Sequence, residues 1–464
     1  MFPDIVVTSQ RFSDTSCWRL TIPDPDGARL MDITRRHLLI GSGAVTVPLL
    51  LAGCGFAPQQ SAPSTPGSKT LTFTTWGTDA ELASFARAIA AFEQSNPGSK
   101  VSLNSVPYGQ MFTNIDAQLQ AGNPPDIFRV PYYTFGSYAG RDQLLDLSPF
   151  LESGFADQFT DAAWAAVQGK DKPFGVPHHT DTSAILYNKS ALDSAGITSV
   201  PTSLDNAWTW DELSKVAATL RASQPADSYP MAYNWQGNGV TRWLSLLFQA
   251  DGRFLSKNLV EPAIDSPAGS AALDFSRSFF TQNFVPPNDT IKSATYASDT
   301  WYSQTSAMVW SGAFAIPDAT KTLDFEWGAT FAPRNERGGG DFGGNALVAT
   351  ANTTNPELAA AFLAFVTESA QMRDFCQTAS LLPTRKDLTE SGIDFDVRPE
   401  LAPIFLGQAS TVRAEDSSQV ASPDMSKIIT VLQDNLESAF AGSTSTADTL
   451  KAVAAGISEA TGGS

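Results

Sequence analysis

Aromatic and acidic residues lie at the ends of predicted strands and in loops, where a side chain can reach a ligand. Trp76 ends the strand-like run TLTFTTW, and Asp79 follows it in the next turn. Trp235 lies in the Gly- and Asn-rich run AYNWQGNG, and the strand-like run SAMVW ends at Trp310, just before Ser311. Indole rings stack on apolar faces, whereas carboxylates and hydroxyls exchange hydrogen bonds with other hydroxyls. A polyol offers both kinds of surface, so these residues are candidates for polyol binding, with a place in the core as the alternative for each tryptophan.

Backbone and charged groups extend the candidate set. The run GGGDFGGN contains Gly343 and Gly344, whose N–H groups can approach a ligand closely because no side chain intervenes. Arg385 follows Pro-Thr and suits hydroxyl or phosphate oxygens. His178 and His179 are adjacent and so cannot form an i, i+4 metal pair, and no cysteine or acidic cluster completes a zinc site. We therefore expect no metal or cofactor and interpret His178 as a polar lip of the binding cleft.

The charge balance limits the class of partner. The chain has 464 residues and a formal net charge of −18. Binding to nucleic acid phosphates or to anionic lipid by electrostatic attraction needs a positive surface, which this composition does not favour. Three cysteines without a CxxC pair make no disulfide framework. The sequence thus predicts a globular protein without a nucleic-acid partner.

The N-terminal region has the pattern of an export signal. Arg35 and Arg36 precede an uncharged apolar run that ends in Leu-Ala-Gly-Cys at Cys54. A charged start, a short apolar stretch and small residues before a cleavage point are typical of a signal peptide, and the run is too short for a transmembrane helix of about 20 residues. Thr-Arg-Arg resembles a twin-arginine signal, with the Sec route left open, and Leu-Ala-Gly-Cys resembles a bacterial lipobox. We expect residues 31–54 to be a lipoprotein signal peptide and Cys54 to carry a lipid anchor.

The segments around this signal have their own interpretation. Met31 lies close to the arginine pair, so we interpret residues 1–30 as a non-native N-terminal extension. Residues 55–69 are rich in Pro, Ser and Gly and are typical of a flexible tether. The predicted location is outside the cell, at the outer face of the cytoplasmic membrane.

The body has an α/β pattern. After the strand-like run at 70–76, apolar residues at helical spacing (Leu82, Phe85, Ile89 and Phe92) precede Pro-Gly. A strand KVSLNSV, a helix around MFTNIDAQLQAG and a short strand PDIF follow. Strands alternating with helices at this spacing predict parallel βαβ units with right-handed crossovers.

A series of segments in the body resembles a known family. The segments are LTFTTWG at 71–77, the run at 122–147, GVPHHTDTSAILYNKSALDSAGI at 175–197, WTWDEL at 208–213, SAMVWSGAF at 306–314, GGNALVA at 343–349, NPELAAAFLAFVT at 355–367 and LLPTRKD at 381–387. Their order is similar to that of the extracellular solute-binding proteins of sugar importers, the family that includes maltose-binding protein. The resemblance implies a two-lobed, periplasmic-binding-protein-like α/β fold with hinge crossings between the lobes. We expect lobe 1 to comprise 70–177 plus 346–390, and lobe 2 to comprise 178–343 plus 391–464.

The same resemblance implies further ligand-binding residues. Asp181 corresponds to a position at which the family carries an acidic sugar ligand, near the crossing between the lobes. Tyr133 corresponds to a ligand-facing position. The family commonly has Gly-Pro-Trp where this chain has Gly-Ala-Phe, so either Phe314 or Trp310 would stack on a sugar. Tyr187, in the Tyr-Asn-Lys segment, is expected to be structural.

The resulting hypothesis is transport without chemistry. The chain would be the monomeric substrate-binding component of an ABC importer, delivering a mono- or disaccharide or an amino sugar to permease subunits. A glycerophosphodiester is the alternative ligand. A carboxylate-dependent glycoside hydrolase is a rival, but it needs two carboxyls about 5–10 Å apart and only Asp181 is a clear candidate. Serine hydrolase chemistry lacks a GxSxG motif, and a purely structural surface lipoprotein leaves the loop aromatics unexplained.

Overall fold

The computed structural model describes residues 69–463. The predicted extension, signal peptide, lipidated Cys54 and tether (except its last residue) lie outside the described residues. All described residues belong to the unit Gln60–Ser464. Within them, no helix has the length and apolar character needed to cross a membrane.

A five-stranded sheet forms the centre of lobe 1. Its strands, in spatial order, are β2 (Lys100–Ser105), β1 (Thr70–Thr75), β3 (Ile127–Pro131), β11 (Gly343–Ala349) and β6 (Val176–Asp181). Strand β1 is parallel to both β2 and β3, whereas β11 is antiparallel to β3 and β6. The parallel βαβ units predicted for the first three strands are therefore present, and the chain returns much later to complete the sheet.

A four-stranded sheet forms the centre of lobe 2. Its spatial order is β10 (Trp327–Thr330), β7 (Ser183–Asn188), β9 (Ser306–Gly312) and β8 (Tyr229–Tyr233). Strand β7 is antiparallel to β9 and β10, and β8 is parallel to β9. A two-stranded ribbon, β4 (Gln168–Gly169) with β5 (Lys172–Pro173), lies outside both sheets.

Helices surround both sheets. They are α1 (Asp79–Ser95), α2 (Tyr108–Gln120), α3 (Tyr132–Gly140), α4 (Asp161–Ala165), α5 (Lys189–Ser194), α6 (Trp210–Ser223), α7 (Leu244–Gln249), α8 (Pro267–Thr281), α9 (Ala297–Tyr302), α10 (Ile316–Thr322), α11 (Pro356–Val366), α12 (Ser369–Ala379), α13 (Lys386–Ser391), α14 (Ala402–Ala409), α15 (Ala414–Val420), α16 (Met425–Phe440) and α17 (Thr446–Thr461). Short 3-10 helices cover Ala156–Gln158, Leu204–Asn206, Gly237–Trp243, Ala313–Ala315 and Pro399–Leu401.

Local sequence signals explain several of these elements. A capping box opens α1, where the Thr78 side chain accepts from the Glu81 N–H and the Glu81 side chain accepts from the Thr78 N–H. A capping box between Thr209 and Glu212, a spacing readable in the sequence, opens α6 in the same way. In α16 the apolar residues Ile428, Leu432, Leu436 and Phe440 recur at helical spacing and are buried in the lobe 2 core. Helix α16 owes its position to this apolar face.

The pairing of the strands moves the predicted lobe boundaries. Strand β6 keeps 178–181 in the lobe 1 sheet, and β7 enters the lobe 2 sheet at Ser183, so the first crossing lies at Thr182 rather than between 177 and 178. The second crossing lies in 331–342, because β11 joins the lobe 1 sheet at Gly343 rather than at 346. Beyond 390, α15 packs on α4 and α16 on both α3 and α8, so this region contacts both lobes.

Candidate ligand site

Asp181 ends β6 at the first crossing and is buried between the lobes. Its Oδ2 accepts a hydrogen bond of 3.0 Å from Arg242 Nη2. Burial raises the pKa of Asp181 to about 7; the cation of Arg242 opposes this shift and the carboxylate of Asp341 adds to it. The N–H groups of Thr182 and Ala313 also act to lower this pKa, although neither has full hydrogen-bond geometry to Oδ1. A carboxyl group at this position can therefore exchange protons near neutral pH.

Arg242 lies in the 3-10 helix Gly237–Trp243 and interacts with two carboxylates. Besides Asp181, Asp341 Oδ2 lies 3.8 Å from Arg242 Nε. Burial disfavours the charge of Arg242, but Asp341 and Asp181 outweigh burial and raise its pKa. Asp341 belongs to the second crossing, and its Oδ1 accepts a 2.8 Å hydrogen bond from the Ser183 N–H at the first crossing. One carboxylate thus joins both crossings and the arginine of lobe 2.

Within residues 69–463, fourteen buried polar side-chain atoms have no hydrogen-bond partner, and seven of them lie around Asp181, Arg242 and Asp341, the region that we call the junction. These seven are Asp181 Oδ1, Thr182 Oγ1, Ser183 Oγ, Arg242 Nε, Trp310 Nε1, Ser311 Oγ and Asp341 Oδ2. A buried donor or acceptor left unpaired costs about 1–3 kcal/mol, so such a concentration needs an explanation. Both donors and acceptors are present, which suits the hydroxyl groups of a polyol.

Glycines leave room for the Asp181 side chain. A Cβ atom at Gly312 would lie 2.4 Å from Asp181 Oδ1 and 2.6 Å from the Phe314 ring. At Gly343 a Cβ atom would lie 3.3 Å from Asp181 Oδ2. Gly344 has a φ of +90°, and a Cβ there would lie 2.5 Å from the His179 carbonyl oxygen. The predicted glycine pair therefore separates into Gly343, beside the carboxylate, and Gly344, which the backbone requires.

Aromatic side chains of both lobes surround the junction. The rings of Trp76 and Tyr108 have centroids 5.1 Å apart, and the Tyr108 and Tyr133 hydroxyls are hydrogen-bonded. Burial raises the pKa of Tyr133, and Arg242 acts to lower it, so this tyrosine of lobe 1 lies near the arginine of lobe 2. Phe314 is 42% exposed, and its ring centroid lies 5.5 Å from Arg242 Cζ. These rings could stack on a sugar.

Trp235 is a core residue rather than the predicted loop platform. It is fully buried between Tyr233, with ring centroids 4.4 Å apart, and Phe440 of α16, at 4.8 Å. Its Nε1 donates to the Asp289 carbonyl oxygen at 2.8 Å. Trp310 is also buried, 4.5 Å from the Tyr233 ring centroid. Its Nε1, which has no hydrogen-bond partner, is the only atom of Trp310 that we assign to the junction. Of Trp310 and Phe314, Phe314 is therefore the ring that a sugar can reach.

His178 is likewise buried, in contrast to the predicted polar lip. Its ring centroid lies 4.4 Å from that of Phe375 in α12 and 5.2 Å from that of Phe85 in α1. Burial lowers the pKa of His178 to about 3, with Arg129 adding to the effect. The imidazole is therefore neutral at physiological pH and belongs to the core of lobe 1. Within the described residues no cluster of His, Cys, Asp or Glu has the geometry for a metal ion.

Arg385 and Asp79 serve helices rather than the site. Arg385 Nε donates to Asp387 at 2.8 Å, and its Nη1 donates to Gln158 at 2.6 Å and to the Thr367 carbonyl at 3.2 Å. These contacts occupy the guanidinium at the start of α13. Asp79 is exposed in the first turn of α1, where a carboxylate interacts favourably with the helix dipole.

The junction includes residues that sequence reasoning missed. Arg242 has no distinguishing local pattern, and Asn238, which lies close enough to Tyr133 to lower its pKa, is one of several polar residues in its loop. Asp341 lies inside the run GGGDFGGN, in which the glycine backbone, and not the aspartate, suggests a ligand contact. Tyr108 opens α2 and resembles an ordinary helix residue. The cluster of buried charges formed by Asp181, Arg242 and Asp341 can be recognised only in the three-dimensional structure, because its members come from separate segments of the chain.

Two open depressions of the surface are not lined by Asp181, Arg242 or Asp341. One of about 390 Å³ is lined by residues including Asp205 and, from the second crossing, Ala332, Arg334 and Gly338. The other, of about 210 Å³, is lined by residues including Tyr187 and Lys189. We assign the site to the junction because unpaired polar atoms converge there, and a cleft between hinged lobes need not contain a void when the lobes are in contact.

The raised pKa of Asp181 predicts a pH-dependent stability. The folded pKa of about 7 exceeds the ordinary value of 3.8, so between these values the native state binds a proton that the unfolded chain lacks. The contribution of Asp181 to the free energy of unfolding therefore falls as pH rises from about 4 to 7, by up to about 4 kcal/mol at about 1.4 kcal/mol per pKa unit. Urea unfolding of the native chain and of Asp181→Asn across this range measures the free energy of unfolding of each, and the difference between the two should change with pH. A difference that stays constant would contradict the raised pKa of Asp181.

The chain is similar to bacterial proteins that bind solutes outside the cell. The model of a family described as bacterial extracellular solute-binding protein matches residues 76–373. The arabinooligosaccharide-binding protein of Bacillus subtilis is 30% identical over 215 residues, which are 45% of this chain and 46% of that protein. The maltooligosaccharide ABC transporter solute-binding lipoprotein of Streptococcus pneumoniae is 27% identical over 154 residues, 33% of this chain and 36% of that protein. These alignments span less than half the length of the curated relatives.

A solved structure extends the likeness to the fold of almost the whole body. The cyclic alpha-maltosyl-1,6-maltose binding protein of Arthrobacter globiformis superposes with a TM-score of 0.71. The superposition covers 86% of this chain and 99% of that chain at 18% sequence identity. The predicted two-lobed α/β architecture is therefore confirmed.

Proposed function

Because the chain belongs to the bacterial extracellular solute-binding protein family, we propose that it is the substrate-binding component of an ABC importer and captures a carbohydrate between its two lobes. The observation that carries this proposal is the concentration of unpaired polar atoms at the lobe junction, next to aromatic rings of both lobes. The printed names of the relatives support an oligosaccharide ligand. A mono- or disaccharide and an amino sugar are the smaller alternatives.

The mechanism follows from the two crossings. Rotation about Thr182 and the segment 331–342 would open the lobes and expose Asp181, Arg242 and the aromatic rings. A ligand that bridges Tyr133 of lobe 1 and Phe314 of lobe 2 would then favour closure, because it binds both lobes only when they meet. The closed, loaded form would deliver its ligand to the permease subunits, and we propose that the protein does so as a monomer.

A ligand panel tests this function. Purified protein should be heated with arabinotriose, maltotriose, monosaccharides, glucosamine and glycerophosphocholine, because a ligand that binds only the native state raises the melting temperature. We expect at least one carbohydrate to raise it and calorimetric titration to give saturable binding. Stabilisation by glycerophosphocholine alone would replace the carbohydrate with the glycerophosphodiester alternative, and no response to any compound would contradict the proposal.

A glycoside hydrolase is the second candidate that an observation favours. Asp181 has a pKa near 7, as a general acid requires, and a second carboxylate, Asp341, is close to it. However, Arg242 interacts with both carboxylates, which does not leave them free on opposite sides of a scissile bond. Incubation with maltotriose and arabinotriose, followed by an assay for new reducing ends, separates the two functions. Turnover would overturn the transport proposal.

We propose in addition that Cys54 carries a lipid anchor, which a relative named as a lipoprotein supports. Cys54→Ala should move the protein from the membrane fraction to the medium or the soluble fraction, because a single residue would carry the acyl chains. Immunoblots of fractionated cells measure the distribution. Cys376→Ala is the matched control, since this thiol is buried in the body and its loss should leave the protein in the membrane fraction. Unchanged partitioning of Cys54→Ala would contradict the lipobox.

A further inference from the structure

Arg242 presents a cation to the space between the lobes. Its side chain is 16% exposed and has the Phe314 ring centroid 5.5 Å from its Cζ. Its Nε has no hydrogen-bond partner within the described residues. An arginine in such a position would ordinarily attract carboxylate or phosphate groups, because its planar fork matches their geometry.

Two buried carboxylates change the electrostatic character of this arginine. Asp181 lies 3.0 Å from Nη2 and Asp341 lies 3.8 Å from Nε, and their side chains are only 7% and 4% exposed. Above about pH 7, where Asp181 is ionised, one cation and two carboxylates leave the cluster with an excess of negative charge. Because these groups are shielded from solvent, the repulsion on an approaching anion is screened less than at the surface.

The position of Asp341 is fixed independently of Arg242. Its Oδ1 accepts from the Ser183 N–H at 2.8 Å, so the carboxylate is held across the two crossings. It cannot turn away to leave Arg242 free for an anionic ligand without losing a buried hydrogen bond. Asp181 differs, because it ends a strand and its Oδ1 lacks a partner of full hydrogen-bond geometry.

We propose that Asp341 is a specificity-determining residue that makes the site select neutral carbohydrates and reject acidic ones. By occupying Arg242 it leaves the arginine able to donate to a hydroxyl or ring oxygen, while a uronate or phosphate group is repelled. The inference rests on the proposed function, because it names the class of carbohydrate that the same site takes. It also disfavours the glycerophosphodiester alternative, whose phosphate carries a negative charge.

The test compares matched neutral and acidic sugars. Calorimetric titration of the full mature chain should use galactobiose with digalacturonate, and glucose with glucuronate, beside the carbohydrate that gives the largest shift in the panel. We expect the native chain to bind every uronate at least 100-fold more weakly than the best neutral sugar. In Asp341→Asn, which keeps an oxygen for the Ser183 N–H, the uronate-to-neutral affinity ratio should rise at least tenfold.

Two controls make the result specific. Asp205→Asn makes the same charge change at an exposed position outside the junction and should leave the ratio unaltered. Adding Arg242→Gln to Asp341→Asn should abolish the gain, because the freed cation causes it. If Asp341→Asn does not fold, the native chain still tests the charge selection, and Asp341→Ser, which also removes the charge, tests the role of Asp341 by the same rise in the ratio.

The possible failures are distinguishable. A native chain that binds a uronate within tenfold of its best neutral sugar overturns the charge selection and leaves carbohydrate binding intact. An unchanged ratio in a folded Asp341→Asn variant overturns the role of Asp341. Absence of binding by every sugar, neutral or acidic, overturns the proposed function and this inference with it.

Discussion

Replacing Asp181 with asparagine is expected to weaken binding of the cognate carbohydrate by roughly tenfold to a hundredfold or more. Hydrogen bonds to a charged group contribute about 1.5–3 kcal/mol, and about 1.4 kcal/mol corresponds to a factor of ten in affinity. Asp181 Oδ1 is buried without a partner of full hydrogen-bond geometry, while Oδ2 already holds Arg242 at 3.0 Å. Above about pH 7, where Asp181 is ionised, the variant would lose the charge at both oxygens. Calorimetric titration with the carbohydrate found in the panel measures the effect.

The matched control for this experiment is Asp205→Asn, at an exposed position outside the junction. It should bind like the native chain, and both variants should remain folded by circular dichroism. Native-like affinity of Asp181→Asn would show that the ligand does not contact the crossing, and the site would have to be sought elsewhere in the molecule.

Replacing Trp235 with alanine is expected to lower the free energy of unfolding by about 3–5 kcal/mol, as for other large aromatic residues truncated in cores. The side chain is fully buried, is stacked between Tyr233 and Phe440, and donates a hydrogen bond to the Asp289 carbonyl. Its loss removes packing and leaves a buried carbonyl without that donor. Urea unfolding, followed by tyrosine and tryptophan fluorescence, measures the change.

Trp76→Ala is the contrasting variant. Trp76 is only partly buried and lies beside Tyr108 at the rim of the junction. We expect it to reduce carbohydrate affinity while costing less stability than Trp235→Ala. The opposite pattern, with Trp235→Ala stable to within about 1 kcal/mol but deficient in binding, would restore Trp235 as a ligand platform and contradict its place in the core.

The features that depend on local sequence could be predicted. The alternation of strand and helix from residue 70 gave the parallel pairs of β1 with β2 and β3, and the threonine–glutamate spacing gave the capping box of α6. The apolar stripe of α16 predicted its buried face. Each of these features depends on interactions within a few residues or one strand pair. The sequence pattern can predict them because the interacting residues are close together in the chain.

The site itself depends on residues far apart in the chain. Trp235 is buried because Phe440 of α16 covers it, and His178 because Phe375 of α12 does. The junction forms only where Asp181, Arg242 and Asp341 meet from three separate segments. From the sequence alone, the polar loop of Trp235 and the histidine pair are predicted to be exposed. The helices that cover them belong to distant segments, so no local pattern indicates the burial. Arg242 could not have been chosen on any local ground.

The position of strand β11 in the sheet limits how lobe 1 can fold during translation. It lies between β3 and β6, although both of these strands are synthesised long before it. Until residues 343–349 emerge, β3 and β6 each present an unpaired edge, and such edges promote pairing with other chains. Lobe 1 therefore cannot complete its sheet until all four strands of the lobe 2 sheet have been synthesised. The early βαβ units could fold soon after synthesis, because their contacts are close in sequence. Completion of the sheet needs a contact distant in sequence, so we expect nascent chains of this protein to need chaperones or to fold late.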